Sequence, residues 1–245
     1  MEIKQSHRLT KEEKKELRRQ EKLMKKQNEI KKRRYFHIFL WLAIFFIIGG
    51  SVFVIIKTVS DKGNSKEIKS DVVKISSEDW VKGNKEAKVS LIEYSDFQCP
   101  ACAFYHHILK KISEEFNDKI VIVYRHFPLP IHKNAKSAAY AAEAAGRQGK
   151  FWEMHDMLFE SQTEWERSDN PKEIFIRYAK LLNLDTEKFS QDFSSKDIER
   201  KIESAYQDAV RLKILYTPTF FLNGKEVKAS GDYESFKNII LKAVE

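Results

Sequence analysis

The sequence predicts an α/β domain in the order β-α-β, helical insert, β-β-α, preceded by one transmembrane helix. Three observations carry this expectation. Residues 89–95 and 120–124 are apolar runs of strand length on either side of an amphipathic helical stripe. Asn223-Gly224 lies between two extended runs near the carboxyl end, a strong hairpin signal. Residues 35–56 form a stretch of 22 without Asp, Glu, Lys or Arg.

The chain opens with a charged tail. Residues 1–34 hold 14 Lys/Arg and 6 Asp/Glu, with Thr10 and Glu13 spaced as a capping box, and read as a solvated, partly helical segment. The uncharged stretch 35–56 is about 33 Å long as a helix, enough to cross a hydrocarbon layer. A cleaved signal peptide would have a shorter leader and a small-x-small site, and Lys57-Thr58-Val59-Ser60 offers none. Gly49-Gly50 and apolarity on every side fit lipid better than a buried core helix. Lys31-Lys32-Arg33-Arg34 abuts the span, which places the amino end in the cytoplasm and the remainder outside it. Residues 57–70 are polar, a linker to a main domain over 71–245.

Within that domain, Val72-Val73-Lys74-Ile75 is a candidate short strand, and Gly83-Asn84 a turn. The strand over 120–124, IVIVY, has no polar face, so it belongs in the middle of a sheet, parallel to 89–95. Cys102, Tyr105, Leu109, Ile112 and Phe116 recur at helical spacing between the two strands. The region 131–213 reads as all helical: an Ala-rich helix from 135, another from 151, a third opened by Asn170-Pro171, and two more capped by Asp185 and Ser194. Strands over 217–222 and 225–229 follow, then a closing helix marked by Phe236, Ile239, Ile240 and Val244.

The net charge of +8 resides in the tail, because 57–245 holds 30 basic and 30 acidic residues. A neutral main domain carries no electrostatic footprint for nucleic acid. No metal, nucleotide or flavin motif is present, and no cofactor is expected.

The chemistry concentrates in Cys99-Pro100-Ala101-Cys102, which contains the only two cysteines. Cys99 at the helix N-cap puts Pro100 at the first helical position and Cys102 at the third. A thiolate at the positive end of a helix is stabilised, so Cys99 is expected to be the exposed, acidic, attacking sulfur. Cys102, on the apolar stripe, is expected to be the shielded, resolving one. Three other readings compete. Zinc binding would use Cys99, Cys102 and His106 with His126 or His132. A structural disulfide would staple only one turn of helix. The thiols could also be buried and inert. His106 reads as a helix-surface histidine, and His107 as polar-facing.

Three stretches together resemble the DsbA-type thiol-disulfide oxidoreductases: Glu93-Tyr94-Ser95-Asp96-Phe97-Gln98-Cys99-Pro100-Ala101-Cys102, Tyr124-Arg125-His126-Phe127-Pro128-Leu129, and Thr217-Pro218-Thr219-Phe220-Phe221-Leu222-Asn223-Gly224. The likeness covers roughly 71–245 and implies a thioredoxin-like fold with an inserted helical subdomain. It implies that Pro218 is a cis-proline lying against the cysteine pair, with Thr217, Pro100 and Ala101 meeting an extended peptide substrate. It also implies that Glu93 is a buried acid beneath the active site, expected to act as a proton acceptor near Cys102; the alternative is an exposed strand glutamate. Ala101 departs from the family members that carry histidine between the cysteines, and implies weaker oxidising power. The expected activity is introduction of disulfides into exported polypeptides with free thiols. A quinone-linked membrane partner of the DsbB or vitamin K epoxide reductase type would reoxidise the pair. The alternatives are a reductase or isomerase on the same fold, or a non-catalytic peptide- or metal-binding module.

Overall fold

β-Branched and aromatic residues build five strands: β1 (Trp80–Gly83), β2 (Val89–Ser95), β3 (Ile120–His126), β4 (Thr219–Leu222) and β5 (Lys225–Val227). They form one sheet in the order β1-β3-β2-β4-β5. β2 and β3 are parallel, as expected from the helix between them, and the other pairs are antiparallel. The structure is a computed structural model. It describes residues 74–228 and 231–245, all within the second of two units into which the chain divides, 67–245. The tail 1–34, the expected span 35–56 and the linker 57–70 lie outside the described residues. Among the described residues no helix is long and apolar enough to cross a membrane.

Eight helices accompany the sheet among the described residues: α1 (Pro100–Glu115), α2 (Ala135–Gly146), α3 (Phe151–Glu160), α4 (Gln162–Trp165), α5 (Pro171–Leu181), α6 (Thr186–Phe193), α7 (Lys196–Arg211) and α8 (Tyr233–Val244). Alternation along each strand decides what covers each face. Val89 and Leu91 of β2, with Ile120, Ile122, Phe220 and Leu222, pack against Ile108, Leu109 and Ile112 of α1 and Phe236 and Ile240 of α8. Ile92, Tyr94, Val123 and Phe221 face the other way, against Ala209, Leu212 and Ile214 at the end of α7. α2 to α6 form the insert. The small side chains of α2, AKSAAYAAEAAG, allow α3, α5, α6 and α7 to pack closely around it.

Several boundaries move. Among the described residues the first strand is Trp80–Gly83; Val72 and Val73 of the expected strand lie outside them, and Lys74 and Ile75 are exposed and belong to no strand. Trp80 supplies the reason: its ring stacks on Phe151 at 4.5 Å and its indole N–H donates to Glu143 Oε1 at 2.7 Å, anchoring that segment along β3. Asp185 caps α6 as expected, accepting from the N–H groups of Glu187 and Lys188, but α7 is capped by Ser195 in place of Ser194. The strand expected from Thr217 begins at Thr219, just after the cis Thr217–Pro218 bond. β5 ends at Val227. At the hairpin, Asn223 and Gly224 have φ of 50° and 77°, the positive pair that a tight two-residue turn requires.

Candidate active site

Cys99 occupies the N-cap of α1 with extended backbone (φ −76°, ψ 123°), and Pro100 opens the helix. Its side chain makes no full capping hydrogen bond, and the first turn of α1 contains no acidic residue. The N–H groups of Ala101 and Cys102 in that turn act on the sulfur. The Cys99 thiol donates to the Thr217 carbonyl at 3.4 Å, across the cis Thr217–Pro218 bond. Cys99 is consequently buried, at 7% exposure, and not the exposed sulfur the sequence predicts. The strand-ordered return of 217–218 to the start of α1 covers it. Cys102 is fully buried, as expected. Both are free thiols.

The two sulfurs are pushed in opposite directions. Cys99 is lowered from 9.0 to about 6, chiefly by the hydrogen bond from Cys102, then by Thr217 and the N–H groups of Cys102 and Ala101, against the cost of burial. The Thr217 hydroxyl is buried and unpartnered beside the neutral thiol, so it is free to turn toward a thiolate. Burial raises Cys102 well above its ordinary value, and the hydrogen bond given to Cys99 and the charge of Glu93 add to that. An acidic sulfur thus sits one helical turn from a reluctant one.

Glu93 is 3% exposed, so the exposed-glutamate alternative does not hold. It shares the β2 face of Val89 and Leu91. Burial raises its carboxyl to about 7, the nearby Ser95 hydroxyl opposes, and negative charge on Cys99 adds to the rise. Its Oε1 has no hydrogen-bond partner. Pro218 and Thr217 line a groove with Tyr105, Tyr216, Phe220 and Val227. Pro100 and Ala101 are exposed, as are the rings of Phe104 and Tyr216.

The histidines do not gather at the cysteines. His126 Nε2 lies 2.9 Å from Glu143 Oε1, and His132 Nδ1 lies 2.7 Å from Asp96 Oδ2. His106 is 3% exposed and faces His155 and Asp156, so it is neither a surface residue nor turned to the thiols. Its position at the edge of the α1 stripe left this undetermined until α3 packed against it. His107 is exposed.

Sequence reasoning missed the residues that hold the loop before α1. Asp96 accepts from the Gln98 N–H at 2.7 Å and the Leu129 N–H at 2.8 Å. Gln162 Nε2 donates to the carbonyls of Phe97 at 2.7 Å and Cys99 at 3.2 Å. Gln98 accepts from the Asn134 N–H at 2.6 Å and donates to the Glu166 carbonyl at 2.9 Å. Asp96 and Gln98 adjoin Cys99, which is a signal; Gln162 has none, being on a short helix in a different segment.

A family model described as Thioredoxin (Thioredoxin_4) matches residues 76–242. Among solved structures, alpha-DsbA1 of Wolbachia pipientis is 25% identical with a TM-score of 0.65, covering 71% of this chain and 95% of that one. BdbD of Bacillus subtilis is 26% identical with a TM-score of 0.60, covering 67% and 91%. The catalytic domain of Proteus mirabilis ScsC, at 20% identity, a TM-score of 0.60 and coverage of 71% and 93%, shares the fold. A Na(+)/H(+) antiporter NhaA 1 of Mycolicibacterium gilvum is 40% identical over 161 residues, covering 64% of this chain. The match spans only 25% of the antiporter's length. With a matching family model across 76–242 and a DsbA-like thioredoxin fold, the chain belongs to the thioredoxin family.

Proposed function

We propose that this protein is a membrane-anchored thiol-disulfide oxidoreductase that introduces disulfide bonds into exported polypeptides through Cys99 and Cys102. One observation carries the reading: Cys99 is held down at about 6 while Cys102 is held well above its ordinary value. A thiolate stabilised in the reduced state makes the corresponding disulfide easier to reduce, hence more oxidising toward its substrate. That asymmetry also decides which sulfur meets the substrate.

In the oxidised enzyme, a substrate thiolate attacks Cys99, breaking the Cys99–Cys102 bond and forming a mixed disulfide. Cys102 leaves with the electron pair and takes a proton, which Glu93, poised near neutrality, supplies. A second substrate thiolate then attacks the substrate sulfur of the mixed disulfide. Cys99 leaves as a stabilised thiolate, and the substrate carries away a disulfide. Two electrons have passed to the enzyme, and a quinone-linked membrane partner of the DsbB or vitamin K epoxide reductase type returns it to the oxidised state. Thr217, Pro218, Pro100 and Ala101 present the edge on which an extended peptide lies. The uncharged stretch 35–56 anchors the chain, with the basic tail in the cytoplasm and the catalytic domain outside, where disulfides persist.

The test is thiol exchange by the full chain, combined with its reduction potential. Exchange is expected in the wild type and absent in Cys99→Ser; retained exchange in that variant would overturn the mechanism. A potential nearer about −120 mV supports oxidation, whereas one near about −270 mV assigns the protein to reduction.

A further inference from the structure

Glu93 lines a cavity of about 20 Å³, room for one water-sized species, that is shared with His106, His155, Asp156, Trp152 and Lys82. His106 comes from α1, and His155 and Asp156 from α3; none of the three plays a part in the thiol chemistry described above. We propose that His106, His155 and Asp156 form a binding site for a single divalent transition-metal cation of the zinc class.

The donor set has the right chemistry, two imidazoles and a carboxylate, for zinc and its first-row neighbours. One ligand atom from each lies within 4.8 Å of the other two. Two ligands held ~2.1 Å from a common ion at a tetrahedral angle stand about 3.4 Å apart. His155 Nδ1 is hydrogen-bonded to Asp156 Oδ1 at 2.8 Å, a contact that would orient the ring or give way to the ion, and His106 Nδ1 lies 3.8 Å from the same oxygen, near that spacing.

A second observation points to a ligand. His106 and His155 are 3% and 6% exposed, and the Nε2 atom of each is buried with no hydrogen-bond partner. The His155 ring is enclosed by Phe97, Tyr124, Phe151, Trp152 and Phe159, which exclude water from its sides. Charges around the site are mixed. Lys82 lies 3.9 Å from Asp156 Oδ2, while Glu160, paired with Lys110, lies 3.8 Å from His106 Nε2.

The experiment is a Co²⁺ titration of the full chain in detergent, without an affinity tag and with Cys99–Cys102 oxidised so that no thiolate can bind. Visible absorption reports occupancy and Zn²⁺ serves as competitor. Expected are one equivalent bound, displacement by Zn²⁺, and at least about 100-fold weaker binding in His106→Leu and in His155→Phe. Circular dichroism shows whether each variant has folded. Should either fail to fold, imidazole ¹⁵N shifts of His106 and His155 on adding Zn²⁺ to the wild type decide the matter. No Co²⁺ absorption from the oxidised wild type, undiminished affinity in folded variants, or Zn²⁺-dependent shifts only at other histidines would each overturn the proposal.

Discussion

A single carboxyl shows how burial sets chemistry at the residue scale. Glu93 gains nothing from an ion pair; removal from water is the main cause that lifts it from 4.5 to about 7, with the charge of Cys99 adding and Ser95 opposing. The linkage sign follows directly. Between those two values the folded chain holds a proton that the unfolded chain has lost, so stability falls as pH rises through that window. The ionised form of Glu93 therefore costs the fold about 3 kcal/mol above pH 7. Glu93→Gln is expected to raise the unfolding free energy at pH 8 by a comparable amount and to change it little at pH 4, as read by urea denaturation at both values. If Glu93 gives its proton to Cys102 as proposed, substrate turnover of the same variant at pH 7 should drop by ~100-fold. A gain in stability that did not depend on pH would show the carboxyl to be solvated. Much of this residue-level picture was legible in the chain: Cys99, Cys102 and Pro218 stand in recognisable local strings, and the Val89–Leu91–Glu93 alternation placed the carboxyl on an inward face. The exposure of Cys99 was misjudged because the group that covers it lies 118 positions away, at Thr217.

At the scale of elements, α1 begins, like α2 to α5, without a side-chain cap. α6, α7 and α8 are closed by Asp185, Ser195 and Asp232, whose side chains accept hydrogen bonds from first-turn N–H groups. α1 has a cysteine there and no acidic residue in its first turn. An oxygen cap would neutralise the dipole that stabilises the sulfur. A different demand governs the far end of α2. A Cβ at Gly146 would lie 2.4 Å from Cζ2 of Trp80. That ring cannot retreat, since it is stacked on Phe151, hydrogen-bonded to Glu143 and covered by Lys201 at 4.5 Å. Replacing glycine by alanine inside a helix ordinarily gains about 1 kcal/mol. Overpacking here costs about 1–3 kcal/mol and wins. Gly146→Ala is accordingly expected to destabilise the protein by ~1–2 kcal/mol in urea unfolding, without altering the alkylation rate of Cys99. Equal or greater stability would show that Trp80 is free to move. The helix itself was readable from its alanines; the glycine's role was not, because Trp80 reaches it across 66 residues of chain.

For the molecule as a whole, the insert and the thioredoxin core are sewn together at the active-site loop. Asn134 Nδ2 is shared among the carbonyls of Trp165, Glu166 and Ser168 at 2.8 to 3.2 Å, while its N–H donates to Gln98. Asn134→Ala leaves those buried acceptors without their donor, at a cost of about 1–3 kcal/mol. Amide hydrogen exchange is expected to accelerate at 97–99 and at 165–168 together, whereas acceleration at only one of the two would show that they are not coupled. Local physics made the elements predictable: a helix or hairpin is decided by contacts a few residues apart, and so are cysteine spacing and the dipole at an N-cap. The sequence alone therefore determined a βαβ unit, a helical insert, a closing hairpin and an acidic sulfur at the head of α1. The tertiary structure alone decided that Cys99 is covered, that Gln162 and Asn134 hold its loop, and that His106 meets His155 and Asp156 behind Glu93. Those meetings depend on sheet order and helix docking, which bring together side chains that no periodicity along the chain relates.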